Sequence, residues 1–336
     1  MQRYTRPRRS RLQTVTAILL SLLFLAAAGF GVSRLLFREP EIPSEADTEQ
    51  EQGTDAEQGT EEGLGELSQG RTPHVYNILV CGVDDGNGGS DTMILAHVDG
   101  ENNRISAVSV PRDTLIDVDW KVKKINAAYN KGGVALVQEK VSELLGVPVD
   151  FTVEVDLKAF IALVDSIGGV DFDVPLNMDY DDPYQDLYIH VKQGMQHLDG
   201  QTAMEVVRFR HNNDGSGYGT QDIGRIGTQQ AFLKTVAKTM LQNIAPDDIS
   251  SYVRIFKQYV DTDLTVNNLL WLAKVVYAAG ADGISFFTLP GDGTGWYAGG
   301  SYYILYPDEV LALVNDYFNP YTAPRTANDL HVFVPQ

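Results

Sequence analysis

Six side chains in this sequence are of types that handle phosphate. Four are arginines, Arg112, Arg208, Arg210 and Arg225, and two are aspartates, Asp84 and Asp91. A planar guanidinium fork matches phosphate oxygens two at a time. Two carboxylates on a short loop can share a hard cation, and magnesium favours one or two carboxylates completed by substrate phosphate oxygens and water. Arginines then neutralise the charge that shifts onto a leaving phosphate. Together the six form the set that phosphoryl transfer needs. Taken singly, each has a plainer reading. The Asp84-Asp85-Gly86-Asn87-Gly88-Gly89-Ser90-Asp91 stretch is turn-forming. Arg112-Asp113 could be a surface ion pair, and an Arg-x-Arg pair on an acidic domain could be a salt-bridged strand edge.

The stretch that must position three of the arginines runs from Glu205 to Gln230, EVVRFRHNNDGSGYGTQDIGRIGTQQ. If the backbone at Arg208 and Arg210 is extended, both side chains leave on one face. A loop rich in Gly, Asn and Asp follows, and a helix is expected over Ile226 to Gln242. Arg225 then sits near a helix N-terminus. The dipole there repels a cation, so the placement serves the protein only if an anion is held at that end. Asp84 and Arg112 each follow an apolar strand, and open α/β sheets bind ligands at the carboxyl ends of strands.

Charge divides the chain. Residues 1–38 carry seven arginines and no acid, residues 39–70 carry eleven acids and no base, and the remainder has an acidic excess of fifteen. An acidic globular part argues against nucleic-acid binding, which needs a basic face. It also makes the arginines more telling, since only eight lie beyond residue 70. The lone cysteine, Cys81, sits in an apolar run and reads as a small buried hydrophobe. The six histidines show no metal-ligand spacing, so a zinc site is not expected.

Taken in order, residues 1–11 are basic, and Leu12 to Ser33 is an uncharged run of 22 residues. A bilayer core needs about 20 apolar residues as a helix. A transmembrane helix is expected over residues 12–37, with the N-terminus cytoplasmic because more arginines precede the run than end it. A cleaved signal peptide is the alternative, kept open by Ala26–Ala28. Residues 38–72 read as an acidic disordered tether. From there the pattern is globular. Strands are expected at Asn77–Val83, Thr92–Val98, Ile105–Val110, Val149–Val155, Val170–Val174 and Ile284–Leu289. Helices are expected to Leu145 after the Gly132-Gly133 break and at Leu157–Ile167, Gln201–Val206, Asp247–Tyr259, Val266–Ala279 and Pro307–Phe318. Residues 319–336 read as a loose tail or an edge segment.

Seven blocks stand in one order: NILVCGVD (77–84), SDTMILAHVD (90–99), SVPRDT (109–114), KINAAY with GG (124–129, 132–133), LVDSIGGVDFDVP (163–175), LDGQTAMEVVRFR (198–210) and DIGRIGTQQ (222–230). In these the sequence resembles the LytR-CpsA-Psr family of cell-envelope phosphotransferases, over about residues 74–320. The resemblance implies one α/β domain over 73–320, a three-layer α/β/α sandwich around a central mixed β-sheet, with a tail over 321–336. It implies transfer of a teichoic-acid-like or capsular glycopolymer from a polyprenyl-pyrophosphate carrier to peptidoglycan, as a phosphodiester, with magnesium. Such a protein is a single-pass membrane protein whose catalytic domain is extracytoplasmic. By motif position, Asp84 and Asp91 would hold magnesium. Arg112, Arg208, Arg210 and Arg225 would clamp the pyrophosphate, and Asp113, Lys124, Asn126 and Gln229 would support the site. Apolar helix faces would line a groove for the lipid. The sequence departs from the family pattern at Thr228, where a second arginine is usual, and at Gly89, where a basic residue often precedes Ser-Asp-Thr. Both lower the positive charge. They motivate the other reading, a non-catalytic binding or regulatory module for lipid-linked precursors; a scaffold role in the envelope machinery is a third. The general base is open between Asp91 and a metal-bound water.

Overall fold

The computed structural model describes residues 37–42, 70–83, 90–183, 187–219, 222–243, 258–280 and 283–335. The expected transmembrane segment, most of the acidic tether, Asp84, and the helix expected from Asp247 up to residue 257 lie outside the described residues. Among the described residues no helix is long and apolar enough to cross a membrane.

A six-stranded mixed sheet forms the centre. Its strands are β1 (Val75–Val83), β2 (Ser90–Asp99), β3 (Arg104–Ser109), β4 (Phe151–Asp156), β9 (Val260–Thr262) and β10 (Ile284–Thr288), in the spatial order β10-β3-β2-β1-β4-β9. β2 is antiparallel to both of its neighbours, and β10 and β4 run parallel to β3 and β1. Four strands therefore point the same way, and their carboxyl ends share one edge with the start of β2. Apolar layers cover both faces of the sheet. Leu79, Cys81, Met93, Leu95 and Val108 fill one face against α1 (Asn126–Leu145) and α6 (Pro307–Tyr317), through Val137, Val141, Val310 and Val314. Tyr76, Ile78, Val98, Ile105 and Phe151 fill the other against Leu272 and Val275 of α5 (Val266–Ala279). Gly132 and Gly133 break α1 as expected, with non-helical angles at both.

A second apolar cluster joins α2 (Leu157–Ser166), α3 (Gly200–Arg208) and α4 (Asp222–Asn243) to two small antiparallel pairs. These are β5 (Val170–Val174) with β8 (Gly194–Leu198), and β6 (Met178–Asp182) with β7 (Leu187–Val191). A hairpin of β11 (Gly291–Tyr297) and β12 (Gly300–Leu305) closes the set. The C-terminal segment is an edge segment: Tyr321 bridges Arg71, and Thr72 N–H donates to Pro320 O.

Asn77 pins the middle of the sheet. It is fully buried. Its Nδ2 donates to Pro148 O (2.9 Å) and Phe318 O (3.2 Å), and its backbone N–H donates to Asp150 Oδ2 (2.7 Å). That leaves Asn77 Oδ1 as an acceptor, so the His97 ring nitrogen 2.8 Å away must be the donor. Burial pushes the His97 pKa down to about 4 from 6.5, with Arg71 adding to the fall and Asp99 opposing it. The unfolded chain then binds the extra proton between those values, so this group makes the fold lose stability as pH falls through that window. Melting temperatures measured from pH 7 to pH 4.5 should fall more steeply for the native chain than for His97→Gln; parallel slopes would remove His97 as the cause.

Candidate active site

Three segments meet at the carboxyl-end edge of the sheet. The first is the start of β2. There the β1–β2 ladder slips: Gly82 faces Thr92 while Val83 faces Ser90, and Asp91 has no opposite number. This β-bulge breaks the alternation at one residue, a device common beside active sites. Buried Ser90 closes it, with Oγ 2.9 Å from Thr92 O and 3.2 Å from Gly82 O.

The second segment is the turn after β3. Thr114 closes it, its Oγ1 and N–H both bonding Pro111 O. Arg112 Nε lies 3.4 Å from Asp113 Oδ1, and Asp113 Oδ2 lies 3.0 Å from Lys124 Nζ. The Asn126 N–H donates to Arg112 O (3.2 Å), which ties the start of α1 to this turn. The expected supporting residues Asp113, Lys124 and Asn126 are thus assembled around Arg112. The ion pair is partly solvated and contributes little stability by itself; its role is to fix direction.

The third segment is the first two turns of α4. The helix begins at Asp222, four residues before the expected Ile226, so Arg225 lies in its first turn. Arg225 is 3% exposed. Burial raises the pKa of the neighbouring Tyr218 phenol, and the Thr228 hydroxyl and the Arg225 charge beside it oppose that rise. Thr228 is buried as well, its Oγ1 donating to Gly224 O (3.2 Å). The residue standing where the family carries a second arginine is therefore turned onto its own helix.

Two consecutive amides bring the segments together. Gln229 Nε2 donates to Val207 O (3.0 Å) in the last turn of α3 and lies 3.5 Å from Thr92 Oγ1 at the bulge. Gln230 Nε2 lies 2.7 Å from Phe287 O, 3.1 Å from Ser109 Oγ and 3.2 Å from Thr288 Oγ1, spanning the ends of β3 and β10. A narrow cleft results, lined by Thr92, Ser109, Pro111, Arg112, Ile226 and Gln229. Of the candidate residues, Arg112 and Gln229 line it, whereas Arg208, Arg210 and Arg225 do not. A separate hollow lies under His331 to Phe333, with none of the candidate residues on it.

The arginine pair differs from its expected form. Arg208 is the last residue of helix α3, and only Phe209 behind it is extended, at φ −58° and ψ 135°. The two side chains do not leave a common strand. Arg208 Nη1 lies against Met204 Sδ at 4.0 Å, while Arg210 is exposed and acts electrostatically on Tyr180 of β6. The amphipathic pattern GQTAMEVVR, capped by Asp199 accepting from Thr202 N–H, carries the helix through Arg208. Sequence reasoning missed Gln230. Its signal was the doubled Gln in an apolar helix, where adjacent amides point about 100° apart and so reach different neighbours.

The described residues hold no group of three His, Cys, Asp or Glu side chains converging on one point. A caged metal is not built there. One or two carboxylates completed by phosphate oxygens and water form the shell that magnesium takes, and the chemistry of Asp91, at the bulge beside the Arg112 cleft, fits it.

The sequence profile of the LytR_cpsA_psr family matches residues 42–318. The chain is 32% identical over 212 residues to the polyisoprenyl-teichoic acid–peptidoglycan teichoic acid transferase TagV of Bacillus subtilis, covering 60% of this chain and about half (52%) of that protein's length. It is 32% identical over 222 residues to TagU of Bacillus cereus, which carries the same transferase name, covering 65% of this chain and 69% of that one. The crystal structure of B. subtilis TagV superposes with a TM-score of 0.60 at 26% identity, over 71% of this chain and 94% of that one.

Two pairs of variants test the assembly of α4. A Cβ on Gly224 would stand 2.4 Å from Tyr218 Cβ, whereas nothing lies within 4 Å of one on Gly227. Urea melts should show Gly224→Ala destabilised by about 1–3 kcal/mol and Gly227→Ala stabilised by up to about 1 kcal/mol. Gln230→Ala strands part-buried carbonyl and hydroxyl groups and should cost about 1 kcal/mol, against less for the exposed Gln201→Ala.

Proposed function

This chain belongs to the LytR_cpsA_psr family, and from that premise we propose that it transfers a glycopolymer from a polyprenyl-pyrophosphate carrier to a sugar hydroxyl of peptidoglycan. The observation that carries the reading is the Gln229 amide. It ties the bulge that bears Asp91 to the helix end that bears Arg208, on a cleft walled by Arg112. Support also comes from the relatives named as teichoic acid transferases.

In this reading the acceptor oxygen attacks the phosphorus that carries the glycan. A new P–O bond forms, the bond to the lipid phosphate breaks, and lipid monophosphate leaves. The acceptor proton passes to a base at the cleft. Arg112, Arg208, Arg210 and Arg225 bind the two phosphates and neutralise the charge that grows on the leaving one. Asp113 and Lys124 hold Arg112 in line, Asn126 ties its backbone, and Gln229 spaces α3 from β2. Asp84 and Asp91 are the residues that would hold magnesium, which supplies Lewis-acid polarisation of phosphate oxygens. The N-terminal apolar run anchors the chain in the cell membrane and the acidic tether carries the domain on the extracytoplasmic side. Apolar faces beside the cleft receive the lipid.

A second reading, a precursor-binding module without turnover, draws on one observation. Thr228 stands where the family usually carries a second arginine, and its uncharged side chain is buried with its hydroxyl on Gly224 O.

Purified full-length chain, given a polyprenyl-pyrophosphate donor and magnesium, should release lipid monophosphate. Asp91→Asn and Arg112→Ala should each lower that rate by at least about 100-fold, and chelation should abolish it. Donor binding with no product in the native chain would select the second reading. Full rates in both variants would overturn the site.

A further inference from the structure

The hairpin of β11 and β12 has no part in the chemistry above, yet it is mounted on the same turn as Arg112. Tyr303 N–H donates to Asp113 O and Leu115 N–H donates to Tyr303 O, both at 2.9 Å, forming a parallel bridge between Thr114 and Tyr303. Tyr303 is buried, and its hydroxyl donates to Leu289 O (2.8 Å). Arg112 precedes that bridge by two residues, within the turn, and on the hairpin Ser301 is the cross-strand partner of Trp296. On the hairpin's other face, Lys124 Nζ, ion-paired with Asp113, lies 5.7 Å from the ring centre of Tyr302, opposite Gly295.

Trp296 is 69% exposed. A single exposed apolar side chain ordinarily needs no explanation. Three features set this one apart. Its mount is fixed at both ends: the buried Tyr302, Tyr303 and Leu305 anchor β12, and the turn at Ala298-Gly299, with φ of 47° and 82°, has the two left-handed residues that a tight hairpin requires. Its neighbours Thr294 and Ser301 are exposed hydroxyls, the first held by Asp292 Oδ1, which accepts from Thr294 N–H and Oγ1 (2.8 and 2.7 Å). Finally, its hairpin is hydrogen-bonded to the turn that carries the arginine assigned to phosphate. A flat indole flanked by hydroxyls suits a ligand with apolar C–H faces and a polar rim, for an aromatic ring offers an electron-rich face to polarised hydrogens and a polar edge to water. A pyranose ring has that character; a lipid chain has no polar rim, and a bare phosphate has no apolar face.

We propose that Trp296 is a stacking platform for a pyranose ring of the glycan whose phosphodiester is made at Arg112. The assignment rests on the transferase reading for the identity of the glycan. The ring can come from the acceptor or from the sugar next to the donor phosphate. The test uses full-length chain in detergent and three probes: a hexamer of β-1,4-linked N-acetylglucosamine for the acceptor, a polyprenyl pyrophosphate bearing one sugar, and the same lipid without sugar. Indole emission should shift saturably with the hexamer or with the sugar-bearing lipid. Trp296→Ala should weaken that binding at least tenfold, Trp296→Phe should restore it to within about threefold, and the sugarless lipid should bind both variants like the native chain. Loss confined to the hexamer assigns the acceptor, and loss confined to the sugar-bearing lipid assigns the donor. Unchanged binding of both sugars to Trp296→Ala overturns the platform, as does a native chain that binds neither. If the native chain still turns over donor in that event, the transferase reading survives without the platform; if it binds sugar through Trp296 but never turns donor over, the platform survives without the transferase.

Discussion

Two neighbouring glutamines hold this architecture together where it matters. Gln229 reaches from α4 to the start of β2 and to the last turn of α3, and Gln230 reaches from the same turn of helix to the ends of β3 and β10. Both amides are partly buried, and a buried amide left unpaired costs about as much as the bond it forgoes. The first turns of α4 therefore have little freedom to slide across the sheet edge. Everything assigned to the cleft inherits its position from that restraint: Arg225 from the helix itself, Arg112 through the shared wall, and Asp91 through the bulge beside Thr92. The central sheet does not need the amides. Its own rigidity comes from apolar layers on both faces and from the Asn77 network. The division follows from burial: the middle of the sheet is dry and can be pinned by packing, whereas the strand ends face solvent and need directed polar contacts.

Much of this was legible in the amino-acid order. The apolar run 77–83 and the strand patterns at 105–110 and 284–289 announced three strands of the sheet, and the strands found differ by a residue or two. Helix α5 was found at its expected bounds, since Thr265 and Asn268 form a capping box ahead of an apolar face. What was not legible shares one physical cause, the dominance of contacts distant in sequence. β6 and β7 alternate Asp and His outward and need each other to exist as a pair. The β11–β12 hairpin is rich in glycine, which weakens any strand signal, and it is held by the turn after β3, nearly two hundred residues earlier. The segment beyond residue 318 left a loose tail and an edge segment open, and only its bonds to residues 70–72 decide for the edge.

The arginine pair is the instructive error. Two arginines separated by one residue suggested an extended segment because that geometry would aim both at one ligand. Local forces decided otherwise. Asp199 caps the helix, Ala203, Met204 and Val206 bury its apolar face, and the turn runs on to Arg208 before Phe209 breaks out and buries its ring. The bulge at Asp91 was equally hidden, because a ladder slip depends on the partner strand. The proposed function asks that the groups share an edge of the sheet, not a strand.

The central claim is that a diphosphate belongs in the cleft between the turn after β3 and the first turns of α4. A crystal structure of the chain grown with manganese and a short polyprenyl pyrophosphate, with anomalous data collected at the manganese edge, tests it most directly. The account predicts an anomalous peak on the Asp91 carboxylate, with phosphate oxygens within hydrogen-bond distance of Arg112 and Arg208. A diphosphate bound away from Arg112, or a metal peak with no contact to Asp91, would contradict it.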